Sequence, residues 1–118
     1  MRIEICIDVN DMEKEADFWL LALSYKRGTG DGEPYLNLLP PEGSATLPIV
    51  FLQKVPETKQ TKNRLHLDIY CKQPKELVSK LLDKGAKLIG ESGSEGDAWW
   101  QVLADPEGNE LCVVKESE

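Results

Sequence analysis

The sequence predicts an α+β fold. Two βαβββ units form a curved, cup-shaped mixed β-sheet with the helices on the outside. Three observations predict it. Apolar residues alternate with polar ones at the head of each half, in IEICIDV and again in RLHLDIYC, which is the period of a strand with one buried face. Each alternating run leads into a segment with apolar residues at helical spacing. The halves also register at one constant step, with Glu4 matching His66, Asp11 matching Gln73 and Trp19 matching Leu81. A repeat of this kind specifies architecture, because each copy has the same apolar face to bury. The repeat comprises 1–56 and 63–118 within a single domain, 1–118.

The elements follow in order. Ile3, Ile5, Ile7 and Val9 make the apolar face of the first strand, with Glu4, Cys6 and Asp8 on the other. Asn10 is placed to cap the next helix and Glu13 to complete a capping box. Met12, Ala16, Trp19, Leu20 and Leu23 form its core-facing stripe. RGTGDGEP breaks the pattern, and YLNLL and LPIVFLQKV read as further strands. After the polar loop PETKQTKN, Leu65, Leu67, Ile69 and Cys71 alternate with His66, Asp68 and Tyr70. Pro74 suits the first turn of a second helix, Val78, Leu81 and Leu82 are its apolar stripe, and Gly85 can end it in a left-handed conformation. KLIGE is a short strand, SGSEGD a loop, and AWWQVLA and NELCVV are strands joined by the turn DPEG. Each helix is expected to cross over between neighbouring parallel strands. Trp99 and Trp100 are adjacent on one strand, so one should pack inward.

The bulk numbers narrow the function. At 118 residues the chain can bury a core without staples. Its formal net charge of −7 argues against nucleic acid and against an anionic membrane surface as partners. No apolar run approaches a membrane span, and the charged, alternating start does not read as a signal peptide. Cys6, Cys71 and Cys112 are odd in number and form no CxxC pair. Free thiols in a reducing cytoplasm are expected. The glycines of GTGDG match no nucleotide fingerprint.

By alternation, Glu4, Cys6, Asp8, His66, Asp68, Tyr70, Glu110 and Cys112 fall on the sheet faces turned from the helices, and so line the cup. The segments FLQKVPETKQTKNRLHLDIY and WWQVLADPEGNELCVV resemble the vicinal oxygen chelate superfamily of glyoxalases, bleomycin-resistance proteins and dioxygenases. More narrowly they resemble its glyoxalase-like domain family of small bacterial proteins, over nearly the whole chain. In metal-dependent members the first and last strand of each unit supply one ligand apiece. The resemblance therefore implies Glu4 and His66 at the two opening strands. It implies a Glu seven residues beyond Asp105, where this chain has Cys112, with Glu110 two residues earlier. Between Phe51 and Gln53 on the last strand of the first unit, only Gln53 could ligate.

The ligand set is thus incomplete, and no resident cofactor is expected. A divalent metal, if bound, would fall to Glu4, His66 and Cys112 or Glu110. Zinc accepts nitrogen, oxygen and sulfur, whereas hard octahedral ions prefer carboxylates to a thiol. What the resemblance implies is a small-molecule-binding protein with a lyase, isomerase or dioxygenase type of reaction, acting as a cytoplasmic homodimer. Glu4 and His66 are the catalytic candidates, and Gln53, Asp68, Tyr70, Trp100, Glu110 and Cys112 the ligand-binding ones. The alternative is a non-catalytic protein that sequesters its ligand, as bleomycin-resistance proteins do. Plainer roles stand beside these. His66 reads equally as a structural strand residue, or as a proton carrier beside Asp68 or Glu4. Glu4 also reads as an ion-pair partner for Arg2 or Arg64. Cys112 reads as a small wall residue, Glu110 as a rim carboxylate, and Lys54, Lys59, Lys62 and Arg64 as a solvated loop or a lure for anions.

Overall fold

The structure, a computed structural model, describes residues 1–28 and 34–117. The chain divides into two compact units, Met1–Thr58 and Lys59–Glu118. The first contains β1 (Ile5–Val9), α1 (Met12–Leu23), β2 (Lys26–Arg27), β3 (Tyr35–Leu39) and β4 (Val50–Lys54). The second contains β5 (Leu67–Cys71), α2 (Pro74–Asp83), β6 (Lys87–Glu95), β7 (Ala98–Ala104) and β8 (Glu110–Lys115). Both are βαβββ. Their four-stranded mixed sheets run β1-β4-β3-β2 and β5-β8-β7-β6.

In each unit the opening strand pairs in parallel with the last strand, β1 with β4 and β5 with β8. The helix therefore does not connect parallel neighbours, contrary to the expectation from the sequence. It carries the chain to the far end of the sheet, and the unit winds back by antiparallel pairings. The strand that the sequence left unplaced in the first half is β2, only two residues long. Most of the glycine-rich stretch before Tyr35, at 29–33, lies outside the described residues.

The helices cover one face of their own sheets, α1 over β2, β3 and β4, and α2 over β7 and β8. In the first unit Val9, Ala16, Phe18, Trp19, Leu36, Leu38, Val50 and Leu52 are buried. Phe18 and Trp19 meet edge to face with centroids 5.3 Å apart. In the second unit Val78, Leu81, Leu103, Leu111 and Val113 are buried. Fully burying one such leucine stabilises by about 1.5–3 kcal/mol. The α1 stripe is rotated from the expected one. Met12, Ala16 and Trp19 are buried as read, but Phe18, Ala22 and the carboxylate-bearing Glu15 join them, while Leu20 and Leu23 are half-buried. Leu82 of α2 is exposed.

The α1 cap also lies one residue on from the expected one. Asp11 is the N-cap, its carboxylate accepting from the Lys14 amide at 3.1 Å. Asn10 instead donates its side-chain amide to the carbonyls of Val55 and Glu57, at 2.9 and 2.8 Å. Glu13 is drawn away to Arg27, two hydrogen bonds at 3.1 and 2.7 Å. On α2, Pro74 occupies the first turn, and Gly85 follows with φ +101°.

Ile3 (68% exposed) and Leu65 (81% exposed) do not extend the apolar faces of β1 and β5. Both precede the strands, and each strand ends its own sheet, where a helix gives the least cover. β6 runs on to Glu95 through most of the stretch read as a loop, with a bulge between Ile89 and Gly93. Neither adjacent tryptophan is buried. Trp99 lies half-buried on the α2 side under the Lys75 ammonium, 5.8 Å from the ring centre, and Trp100 is 37% exposed on the other face.

Candidate functional site

Strand alternation sorts the second unit's sheet into two faces. Leu103, Leu111 and Val113 face α2. Trp100, Val102, Ala104, Glu110, Cys112, Val114, Asp68 and Tyr70 share the other face. The register sets them in cross-strand rows: Trp100, Val114 and Tyr70 in one, Val102, Cys112 and Asp68 in the next, Ala104 and Glu110 in a third. The rows grade from aromatic to ionic.

His66 sits immediately before β5, and its Nε2 lies 3.1 Å from the Asp68 carboxylate, both side chains half-exposed. A carboxylate at that distance can orient the ring. One residue of this pair lies in the strand and the other just outside it, and alternation alone brings them together.

Glu110 is only 9% exposed and committed. Its carboxylate accepts from Lys62 Nζ at 2.7 Å and from the Asn63 amide at 3.2 Å, and Lys59 Nζ stands 3.6 Å away. These contacts hold its pKa below the ordinary carboxylate value, the Lys62 hydrogen bond first and the Asn63 amide next. Two lysines of the polar loop thus act as an internal clamp on Glu110. Cys112 is 7% exposed. Burial first, then the neighbouring Asp68 charge, pushes its thiol up from the ordinary value, the opposite of what an activated nucleophile needs. The turn between β7 and β8 is held by Asp105, which accepts from the amides of Glu107 and Asn109 at 2.8 and 2.9 Å.

In the first unit, Glu4 lies just before β1 and pairs with Arg2 at 3.0 Å. On the face turned from α1, Cys6 approaches Asp8 Oδ1 at 3.8 Å and Gln53 Oε1 at 3.6 Å. Its thiol too is raised, by burial first and then by Asp8. Tyr35 and Phe51 meet edge to face at 6.1 Å beside Gln53. Tyr35 and Asn37 were missed as residues of this face. The signal was present in YLNLL, where Leu36 and Leu38 are buried and the alternate positions are not.

Residues 4–114 match the family model described as the glyoxalase-like domain. The chain belongs to the glyoxalase-like domain family. Its fold is the one shared by the vicinal oxygen chelate superfamily. It is similar over 97% of both chains to a glyoxalase/bleomycin resistance/dioxygenase family enzyme from Burkholderia phytofirmans, at 15% identity and TM-score 0.77. A variant of the fosfomycin resistance protein FosX from Listeria monocytogenes, solved with Mn(II) and 1S,2S-dihydroxypropylphosphonic acid, matches at 11% identity and TM-score 0.77. The match covers 97% of this chain and 88% of that one. An integron cassette protein from a Halifax Harbour sewage metagenome matches at 24% identity and TM-score 0.68, over 98% and 97%. These likenesses show the fold. The sequence matches none of the curated proteins compared with it.

The FosX variant was solved with Mn(II), a hard ion that takes carboxylate and other oxygen donors. Among the described residues no three His, Cys, Asp or Glu side chains gather as a metal set. Within the second unit the reasons are specific. Glu110 is engaged by Lys62 and the Asn63 amide, His66 is turned to Asp68, and Cys112 is a buried thiol with a raised pKa where the family pattern has a carboxylate. This donor set does not fit a hard divalent ion.

Proposed function

We propose that this glyoxalase-like protein binds a small organic molecule on the face of the second unit turned from α2, and moves a proton on it through His66. The observation that carries this reading is the 3.1 Å contact between His66 Nε2 and Asp68. Asp68 orients the ring, and the imidazole takes a proton from the ligand and returns it. That is the elementary step of a lyase or isomerase. Tyr70, Trp100 and Cys112, on the same face, are the ligand's other neighbours, and Glu110 holds the loop beside them. On the first unit Glu4 is the acid–base candidate and Gln53 a hydrogen-bonding one. The reading takes residues 1–118 as one domain built from the repeat 1–56 and 63–118, acting as a homodimer in a bacterial cytoplasm.

A second reading is sequestration without turnover. It is favoured by the exposed Trp100 and Tyr70, which suit holding a ligand whether or not a proton moves. One experiment separates the two. Wild type and His66→Gln are incubated with a small-molecule extract of cells, and consumption and retention are followed by mass spectrometry. Catalysis predicts a compound consumed beyond stoichiometry by wild type and about 100-fold more slowly by the variant. Stoichiometric retention without consumption establishes sequestration. Equal consumption and retention by both proteins removes His66 from the site.

A further inference from the structure

The bulge in β6 has a consequence for Trp100. Ile89 pairs with Val102, and the next paired residue is Gly93, opposite Trp100. Four steps along β6 therefore answer two along β7. Regular pairing would have set Glu91 opposite Trp100, and the inserted residues set a glycine there instead. The bulge is held in place. Gly90 within it takes φ +71°, and its carbonyl accepts from Gln101 Nε2 at 3.2 Å. Gln101 is buried and directly follows Trp100.

The space left by Gly93 is filled by the indole. Indole Cε2, Cζ2 and Nε1 of Trp100 lie where a β-carbon on residue 93 would stand. Only glycine admits that position, and the backbone does not otherwise demand it, since Gly93 is not among the residues with positive φ. The indole is thereby held down against β6 while remaining 37% exposed. In register beside it run Val114 and the exposed Tyr70. The next row carries Asp68.

We propose that Gly93 and the β6 bulge make Trp100 a fixed stacking surface, so that the ligand taken by this face contains a planar aromatic ring. The proposal rests on the reading that the ligand lies on this face, and it adds the ligand's chemical class. Gly93 is a positioning residue, and Trp100 is the residue that touches the ring. A flat ring gains from an indole held in place, because offset stacking needs two parallel planes at contact distance. A puckered ring of the same size does not.

The test uses the intact chain and two probes, planar 2-naphthol and its saturated counterpart decahydro-2-naphthol, titrated by proton–nitrogen NMR. The Trp100 indole Nε1–H signal is identified by its loss in Trp100→Leu. We expect 2-naphthol to shift that signal and to bind about fivefold or more tightly than the saturated probe. Gly93→Ala, checked by its melting curve to be folded, should move the indole signal in the free protein and abolish that preference. Equal binding of both probes, a silent Trp100 signal, or an unchanged preference in Gly93→Ala overturns the proposal. Shifts at His66 and Asp68 with Trp100 silent would leave the site and remove the stacking surface. Shifts at Trp100 with His66 and Asp68 silent would support the stacking surface and sink the proton-transfer site.

Discussion

Replacing Glu110 by Gln tests the clamp that ties the segment before β5 to β8. The substitution keeps the shape and one acceptor oxygen for the Asn63 amide, and it removes the charge. The charge-assisted bond from Lys62 would be worth about 1.5–3 kcal/mol if shielded. Lys62 is 77% exposed, and solvent screening cuts the figure to about 1 kcal/mol. Lys59, at 3.6 Å and better covered, adds about 0.5 kcal/mol. The expected loss is about 1.5 kcal/mol at neutral pH, or roughly 4–8 °C in melting temperature for a chain of this size. The pH dependence has a definite sign. The folded carboxyl titrates below its ordinary value of 4.5, so the folded state takes up the proton less readily than the unfolded one. The clamp's contribution is therefore fully present above about pH 4.5 and drains away as pH falls below it. Melting curves of wild type and Glu110→Gln, followed by circular dichroism at pH 7 and across the acid range, should converge on acidification. Identical melting temperatures at pH 7, or a gap that survives below the carboxylate range, would falsify the clamp.

Two further expectations follow from the same structure. Asp11→Ala removes the α1 cap and should cost about 1 kcal/mol in urea denaturation. Asn10→Ala should cost about 1–2 kcal/mol by freeing the Val55 and Glu57 carbonyls, without lowering the helix signal of the native state. A silent Asp11→Ala would return the cap to Asn10. With iodoacetamide at pH 8, peptide mapping should find Cys6, which is exposed, modified about tenfold or more faster than buried Cys112. Comparable rates would make Cys112 an accessible thiol and end its reading as a wall residue.

Strand faces were legible in the sequence because alternation has a period of two, and a single buried residue sets the phase for the rest. Leu67 and Ile69 set the phase of β5, so Asp68 and Tyr70 had to point away from α2. Topology was less legible. Nothing in LPIVFLQKV says that it returns to lie parallel with β1, because parallel pairing is decided by which strand edges remain open once the hairpins have closed. The β6 bulge was hidden for a related reason. Three glycine- and serine-rich residues, Ser92 to Ser94, read as a loop, yet cross-strand hydrogen bonding holds the backbone extended there irrespective of side-chain propensity.

The site residues show the same division at finer scale. Their direction could be read, and their commitments could not. Glu110 and Asp68 are both carboxylates on one sheet face, in neighbouring rows of the register, and the sequence treats them alike. What separates them is the path of the polar loop. Lys62 and the Asn63 amide are brought over Glu110 and engage both of its oxygens, with Lys59 3.6 Å away, while among the described residues the ion-pair partner of Asp68 is His66. A carboxylate already engaged by an ammonium and an amide, with a second ammonium nearby, gains less by binding a ligand, because a new contact competes with those in place. A carboxylate facing an imidazole keeps acceptor capacity for a ligand. In the proposed function, proton chemistry on this face is therefore assigned to His66 beside Asp68, and Glu110 acts on it only through the loop it holds.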